Sequence, residues 1–231
     1  MRAPIHRLLK REMVWLGTHV CKHSHTYLEH YNCFINDYPE GIEGVISVPE
    51  KIGVLDIETT NLKSNWGYTF CYYIKYSGKD KYESYTVTQA DIRNGNQDKK
   101  LLKKLCKDIR KFDRIIVYYG KDRRHDIPFL RTRAIKYGLD FPKYKELYVT
   151  DIYDICKAKL SLHRYRMETS CRFFGIESKG HRLEPDIWNN ALAGNIKALE
   201  WISSHCKEDV ISTDLLAQKL MKYVRTSKTS I

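Results

Sequence analysis

The spacing of apolar positions along this chain changes period several times, and each change marks an element. Lys51-Ile52-Gly53-Val54-Leu55-Asp56-Ile57-Glu58 is a short apolar run ending in acids, the pattern of a buried strand. Gly67 to Tyr76 and Lys81 to Val87 are rich in Tyr, Ile, Val and Thr and are joined through Ser77-Gly78-Lys79-Asp80, which predicts a hairpin. Between Asp98 and Phe112, the residues Leu101, Leu102, Leu105, Ile109 and Phe112 recur at helical spacing with lysines opposite, the mark of an amphipathic helix. Arg114 to Tyr119 then reads as a fourth strand, residues 127–137 as a helix and Leu147 to Ile152 as a fifth strand. Everything beyond is expected to be mostly helical, including a long helix with the stripe Leu199, Ile202, Cys206, Val210 and Leu220.

Three strands, a helix, a strand, a helix, a strand and then helices is the element order of an RNase H-like α/β fold, a five-stranded mixed sheet flanked by helices. No internal repeat or low-complexity segment competes with it. The expected organisation is an N-terminal extension over 1–48, the α/β domain over 49–221 and a tail over 222–231. A glycine-bearing link, Tyr38-Pro39-Glu40-Gly41-Ile42-Glu43-Gly44, closes the extension.

That extension packs Cys21, His23, His25, His30 and Cys33 into a single stretch of thirteen residues. Thiolates and imidazoles at such density suit tetrahedral Zn²⁺, and a short segment with little core gains most from such a staple. The expected zinc ligands are Cys21, His25, His30 and Cys33, with His23 as an alternative to His25; the bland alternative is a loop of free thiols and exposed histidines.

Composition narrows the partners. Forty Lys+Arg against 28 Asp+Glu leave a formal charge of +12, which favours a phosphate backbone over an acidic metabolite. The 17 tyrosines add faces on which bases can stack, although most would fill half-buried strand positions. No run of 18 apolar residues occurs, and Met1 to Gly17 mixes charges into its apolar residues, so neither a membrane span nor a signal peptide is expected. Seven scattered cysteines then point to reduced thiols in the cytoplasm.

The candidate chemistry is carried by acids. Asp56 and Glu58 stand two apart on a strand, so both side chains leave one face while Ile57 points the other way. Two acids together at the end of an apolar strand are costly unless a cation neutralises them, and a hard ion such as Mg²⁺ or Mn²⁺ prefers such oxygen ligands. Asp126 follows the fourth strand, just before a helix whose first turn contains Pro128; taken alone it would be read as an N-cap. His205 and Asp209, four apart on the long helix, share one face beside its apolar stripe. Asp209 can hold a metal there while His205 accepts a proton.

Taken together, Asp56-Ile57-Glu58-Thr59-Thr60, His125-Asp126-Ile127-Pro128-Phe129-Leu130 and His205-Cys206-Lys207-Glu208-Asp209-Val210 resemble the three motifs of the DEDD 3′→5′ exonucleases. Thr150-Asp151-Ile152-Tyr153-Asp154-Ile155 and the stretch from Leu162 to Ile176 resemble the proofreading domain of family-B DNA polymerases and related standalone RNase H-like exonucleases. The resemblance spans roughly residues 50–220. Two features depart from it. His205 stands where family-B polymerases usually carry tyrosine, making the motif DEDDh-type, and the second motif lacks the Asn that commonly precedes its Asp.

The resemblance implies a two-metal-ion hydrolase in which Asp56, Glu58, Asp126 and Asp209 hold two Mg²⁺ or Mn²⁺ and His205 is the general base. Thr59 and Leu62 would flank the terminal nucleotide. Lys121, Arg123, Arg124, Arg131 and Arg133 lie near the site in sequence and are candidates for gripping phosphates. The substrate would be a single-stranded 3′ end, DNA somewhat favoured over RNA, with a protein partner in replication, DNA repair or defence. The competing readings are an RNase H-like endonuclease and a nucleic-acid-binding subunit that keeps the fold as a scaffold.

Overall fold

The computed structural model describes residues 10–39, 41–42, 50–95, 97–177, 182–224 and 230. The expected boundary at 48 and 49, part of the 38–44 link and most of the 222–231 tail lie outside the described residues. The chain divides into two units, residues 1–50 and 51–231.

In the larger unit, β1 (Ile52–Thr59), β2 (Thr69–Tyr76), β3 (Tyr82–Thr86), β4 (Arg114–Val117) and β5 (Tyr148–Asp151) form one mixed sheet in the order β3-β2-β1-β4-β5. β1–β2 and β2–β3 are antiparallel hairpin pairs, whereas β1–β4 and β4–β5 are parallel and need crossovers. This is the expected RNase H-like arrangement. The period-2 alternation of β1 assigns its faces. Leu55 and Ile57 enter the larger apolar cluster with Phe70, Tyr72 and Ile74, and Val54 joins the other.

Helices cover both faces. α4 (Lys99–Asp108) lies under the sheet beside α5 (Asp126–Lys136), where the Tyr72 hydroxyl donates to Asp108 at 2.6 Å. On the opposite face α9 (Ile196–Leu220) crosses β1 and β2, and its buried Asp214 takes the Lys75 ammonium at 2.5 Å. All five stripe residues, Leu199, Ile202, Cys206, Val210 and, at its end, Leu220, are buried along α9. α9 starts where Asn195 caps the Ala198 N–H at 3.1 Å. α3 (Gln89–Arg93), α6 (Ile152–Lys159), α7 (Met167–Phe173) and α8 (Pro185–Leu192) complete this unit.

Boundaries move for local reasons. β4 ends at Val117 because Tyr119 takes φ +60°, a left-handed conformation no strand can include. β5 passes straight into α6, because the Asp151 carboxylate caps the Tyr153 N–H at 2.9 Å. α4 stops at Asp108 and finishes in a tighter 3₁₀ turn over Ile109–Lys111.

The smaller unit contains α1 (Lys10–Thr18) and α2 (Tyr31–Asp37) around a core of Leu16, Cys21, Tyr27, Tyr31 and Phe34. A Val20–Thr26 bridge joins the ends of a turn between the two helices. No helix among the described residues is long and apolar enough to cross a membrane.

Candidate active site

β1 delivers the first two acids. Asp56 and Glu58 share the face that α9 covers, and the pairing with β2 slips register between Glu58 and Thr59. Such a slip bends a strand and re-aims the side chain beside it. From the facing helix come His205 and Asp209, one turn apart and both buried. Ligand atoms of Glu58, His205 and Asp209 lie within 4.8 Å of one another, with Nε2 of His205 4.0 Å from Oε1 of Glu58. Asp56 stands beside this trio rather than in it, and its backbone carbonyl accepts the Cys206 thiol at 3.3 Å.

Asp126 is the first residue of α5, with His125 at the cap position, so the N-cap reading is corrected. Asp126 is 6% exposed as a residue, and its buried Oδ2 has no hydrogen-bond partner. Burial pushes its carboxyl well above the usual carboxylate range, and the charges of Asp151, Glu58 and Asp209 push the same way. Acids from β1, the first turn of α5 and α9 thus share one buried field. Such a donor set of carboxylate oxygens fits a hard divalent cation, which would lift the repulsion that now favours a proton on Asp126.

Asp151, at the end of β5, organises the loop that leads to Asp126. Its oxygens accept the backbone N–H groups of Tyr119 (2.9 Å), Gly120 (3.1 Å) and Lys121 (3.1 Å), besides that of Tyr153. Arg124 pairs with it at 2.5 Å and with Asp154, and its guanidinium lies over the rings of Tyr119 and Tyr153. Arg124 is therefore part of the loop's scaffold, not a free phosphate contact. Arg133 is corrected likewise: it is buried and bidentate on the buried Asp98, with Nε at 2.9 Å and an amino nitrogen at 2.5 Å.

The remaining expected substrate groups are more open. Arg123 and Leu62 are exposed, and Arg131 is half-buried with Asp122 3.1 Å away. The Thr59 hydroxyl lies 3.0 Å from both the Asn61 carbonyl and Nε2 of His125, tying the end of β1 to the start of α5. Burial holds the His125 imidazole below its ordinary value. Trp66, which the sequence reading did not single out, stands exposed in the same loop as Leu62.

In the smaller unit Cys21, His23, His30 and Cys33 bring their ligand atoms within 4.8 Å of one another. Sγ of Cys21 is 3.7 Å from Nδ1 of both His23 and His30, and Sγ of Cys33 is 3.3 and 3.9 Å from the same two nitrogens. His23, not the expected His25, completes the group. The reason is local: Ser24, at φ +60°, turns the chain so that its N–H reaches the Cys21 carbonyl at 2.9 Å, with His23 inside that turn. His25 instead pairs its carbonyl with the Cys21 N–H, and its ring packs on that of His30.

Residues 54–221 match a family model described as the RNase H superfamily. Comparison with curated proteins finds no match.

Proposed function

The chain belongs to the RNase H superfamily, and from that premise we propose that it is a metal-dependent 3′→5′ exonuclease acting on single-stranded nucleic acid. The observation that carries this reading is the convergence of Glu58, His205 and Asp209 beside a buried Asp126 whose carboxyl is pushed toward its protonated form. Asp56, Glu58, Asp126 and Asp209 would hold two Mg²⁺ or Mn²⁺. Bound ions of this kind supply charge neutralisation and a more acidic water.

The chain's own part is positioning and proton transfer. Nε2 of His205 takes the proton of the attacking water as its oxygen forms a bond to phosphorus. The bond from phosphorus to the 3′ oxygen breaks, that oxygen takes a proton from solvent water, and a 5′-mononucleotide leaves. Glu58, 4.0 Å from Nε2, stabilises the imidazolium so formed. Thr59 and Leu62 would flank the terminal nucleotide, and Arg123 and Arg131 would meet phosphates. The seven free cysteines suit a reducing, cytoplasm-like setting.

Incubating strands labelled at the 3′ or the 5′ end with Mn²⁺, DNA and RNA side by side, tests the reading. Stepwise shortening from the 3′ end supports it. Internal cuts would identify an endonuclease, and binding without cleavage a scaffold.

The Cys21, His23, His30 and Cys33 group would hold one structural Zn²⁺. Two thiolates and two imidazoles at these separations suit a tetrahedral ion, and a unit with so few core residues gains from one.

A further inference from the structure

Beside the acids lies a groove of about 450 Å³ that the catalytic reading leaves unused, lined by Tyr118, Tyr119, Tyr153, Arg164, Arg166 and Met167 among others. Both of its flanks run into the acidic site. Tyr119 immediately precedes Gly120, whose backbone packs against the Asp126 carboxylate. Met167, on the other flank, accepts the Thr213 hydroxyl at 3.2 Å, one helical turn beyond Asp209 on α9.

The groove's chemistry is that of a base-stacking surface. Tyr119 is 52% exposed although it is a large ring, and it keeps φ +60°, a strained conformation for a residue with a side chain. The cost is met because Asp151 holds the Tyr119 N–H. The result is a ring standing out from the loop, edge-on to Tyr153 with centroids 4.9 Å apart. Arg124 backs both rings, and Tyr118 is fixed by donating to the Tyr165 carbonyl at 2.6 Å. Arg164 and Arg166 stand exposed along the rim. Rigid aromatic faces with a basic edge accept unpaired bases and their phosphates in any sequence.

We propose that this groove binds the single strand a few nucleotides upstream of the reacting end, with a base stacked on Tyr119 and phosphates on Arg164 and Arg166. The inference deepens the nuclease reading and rests on it for the direction of the strand. A chain with a net charge of +12 suits such a ligand.

The test is binding, read by fluorescence anisotropy in EDTA so that cleavage plays no part. Fluorescein-labelled oligothymidylates of three and twelve nucleotides are titrated with the full chain. The wild type should gain affinity strongly from the shorter to the longer strand. Tyr119→Ala should cut that gain about tenfold, as should Arg164→Ala combined with Arg166→Ala, while Tyr119→Phe, which keeps the ring, should retain it. An unchanged gain in Tyr119→Ala, an equal loss in Tyr119→Phe, or no binding of the longer strand by the wild type would each overturn the groove. Hydrolysis of the same labelled strand with Mn²⁺ decides the nuclease reading separately: a chain that binds through Tyr119 but does not cleave keeps the groove and loses the nuclease.

Discussion

The backbone of Gly120 lies directly against the carboxylate of Asp126: a methyl group added at Gly120 would stand 2.2 Å from Oδ2. The glycine is required by this close approach, since the loop can carry Asp126 into the site only if nothing projects from residue 120. Gly120→Ala should therefore displace the carboxylate and lower turnover roughly 100-fold, the scale of a misplacement of about 1 Å, while the circular dichroism spectrum stays that of the wild type. Turnover within a few-fold of wild type would show that the carboxylate's position is not critical.

Asp126 also sets a pH dependence. Its carboxyl titrates above the unfolded value, so the folded metal-free chain holds a proton that the unfolded chain has already lost. Its contribution to stability is greatest below the ordinary aspartate pKa of about 3.9 and is lost as pH rises through the raised value. Asp126→Asn removes this penalty. In EDTA at neutral pH the variant should melt above the wild type, and the difference should vanish near pH 4. Thermal scans of both proteins across pH check the sign.

Removing Asp151 should act through the loop. Asp151→Ala leaves three consecutive backbone N–H groups and Arg124 without their acceptor. A loss of roughly 3 kcal/mol in urea unfolding is expected, together with lower turnover. Arg124→Ala should resemble it in stability and leave the salt dependence of strand binding unchanged, since that guanidinium is already paired. A reduced salt slope in Arg124→Ala would instead return it to the phosphate contacts.

The zinc proposal separates two neighbouring histidines. The purified chain should carry about one zinc by metal analysis, and a Co²⁺-substituted form should show the visible bands of a tetrahedral thiolate–imidazole site. His23→Ala should lose the metal and His25→Ala keep it. Metal retained in His23→Ala and lost in His25→Ala would reverse the assignment.

What sequence reveals here divides along a physical line. Leu55, Asp56, Ile57 and Glu58 alternate at the period of a strand, and Leu199, Ile202, Cys206 and Val210 recur at that of a helix, so sheet, long helix and the faces of their acids follow from spacing. Loops obey no such period. The left-handed turns at Ser24 and Tyr119 choose His23 over His25 and lift Tyr119 outward, and neither residue is a glycine that would announce the turn. Arg124 and Arg133 are close in sequence to Asp126, yet buried Asp151 and Asp98 take up their charge. Proximity along the chain could not have shown that, because the partners arrive from elsewhere in the fold.

On the proposed function, acids from β1, the first turn of α5 and α9 are kept together because they share divalent ions. Titrating the chain with Mn²⁺ while following the electron paramagnetic resonance signal of the free ion tests it most directly. The wild type should remove Mn²⁺ from solution, and Asp126→Asn and Asp209→Ala, each confirmed folded, should bind at least tenfold more weakly. Equal binding by all three proteins would place the metal elsewhere and rule out ions shared among these acids.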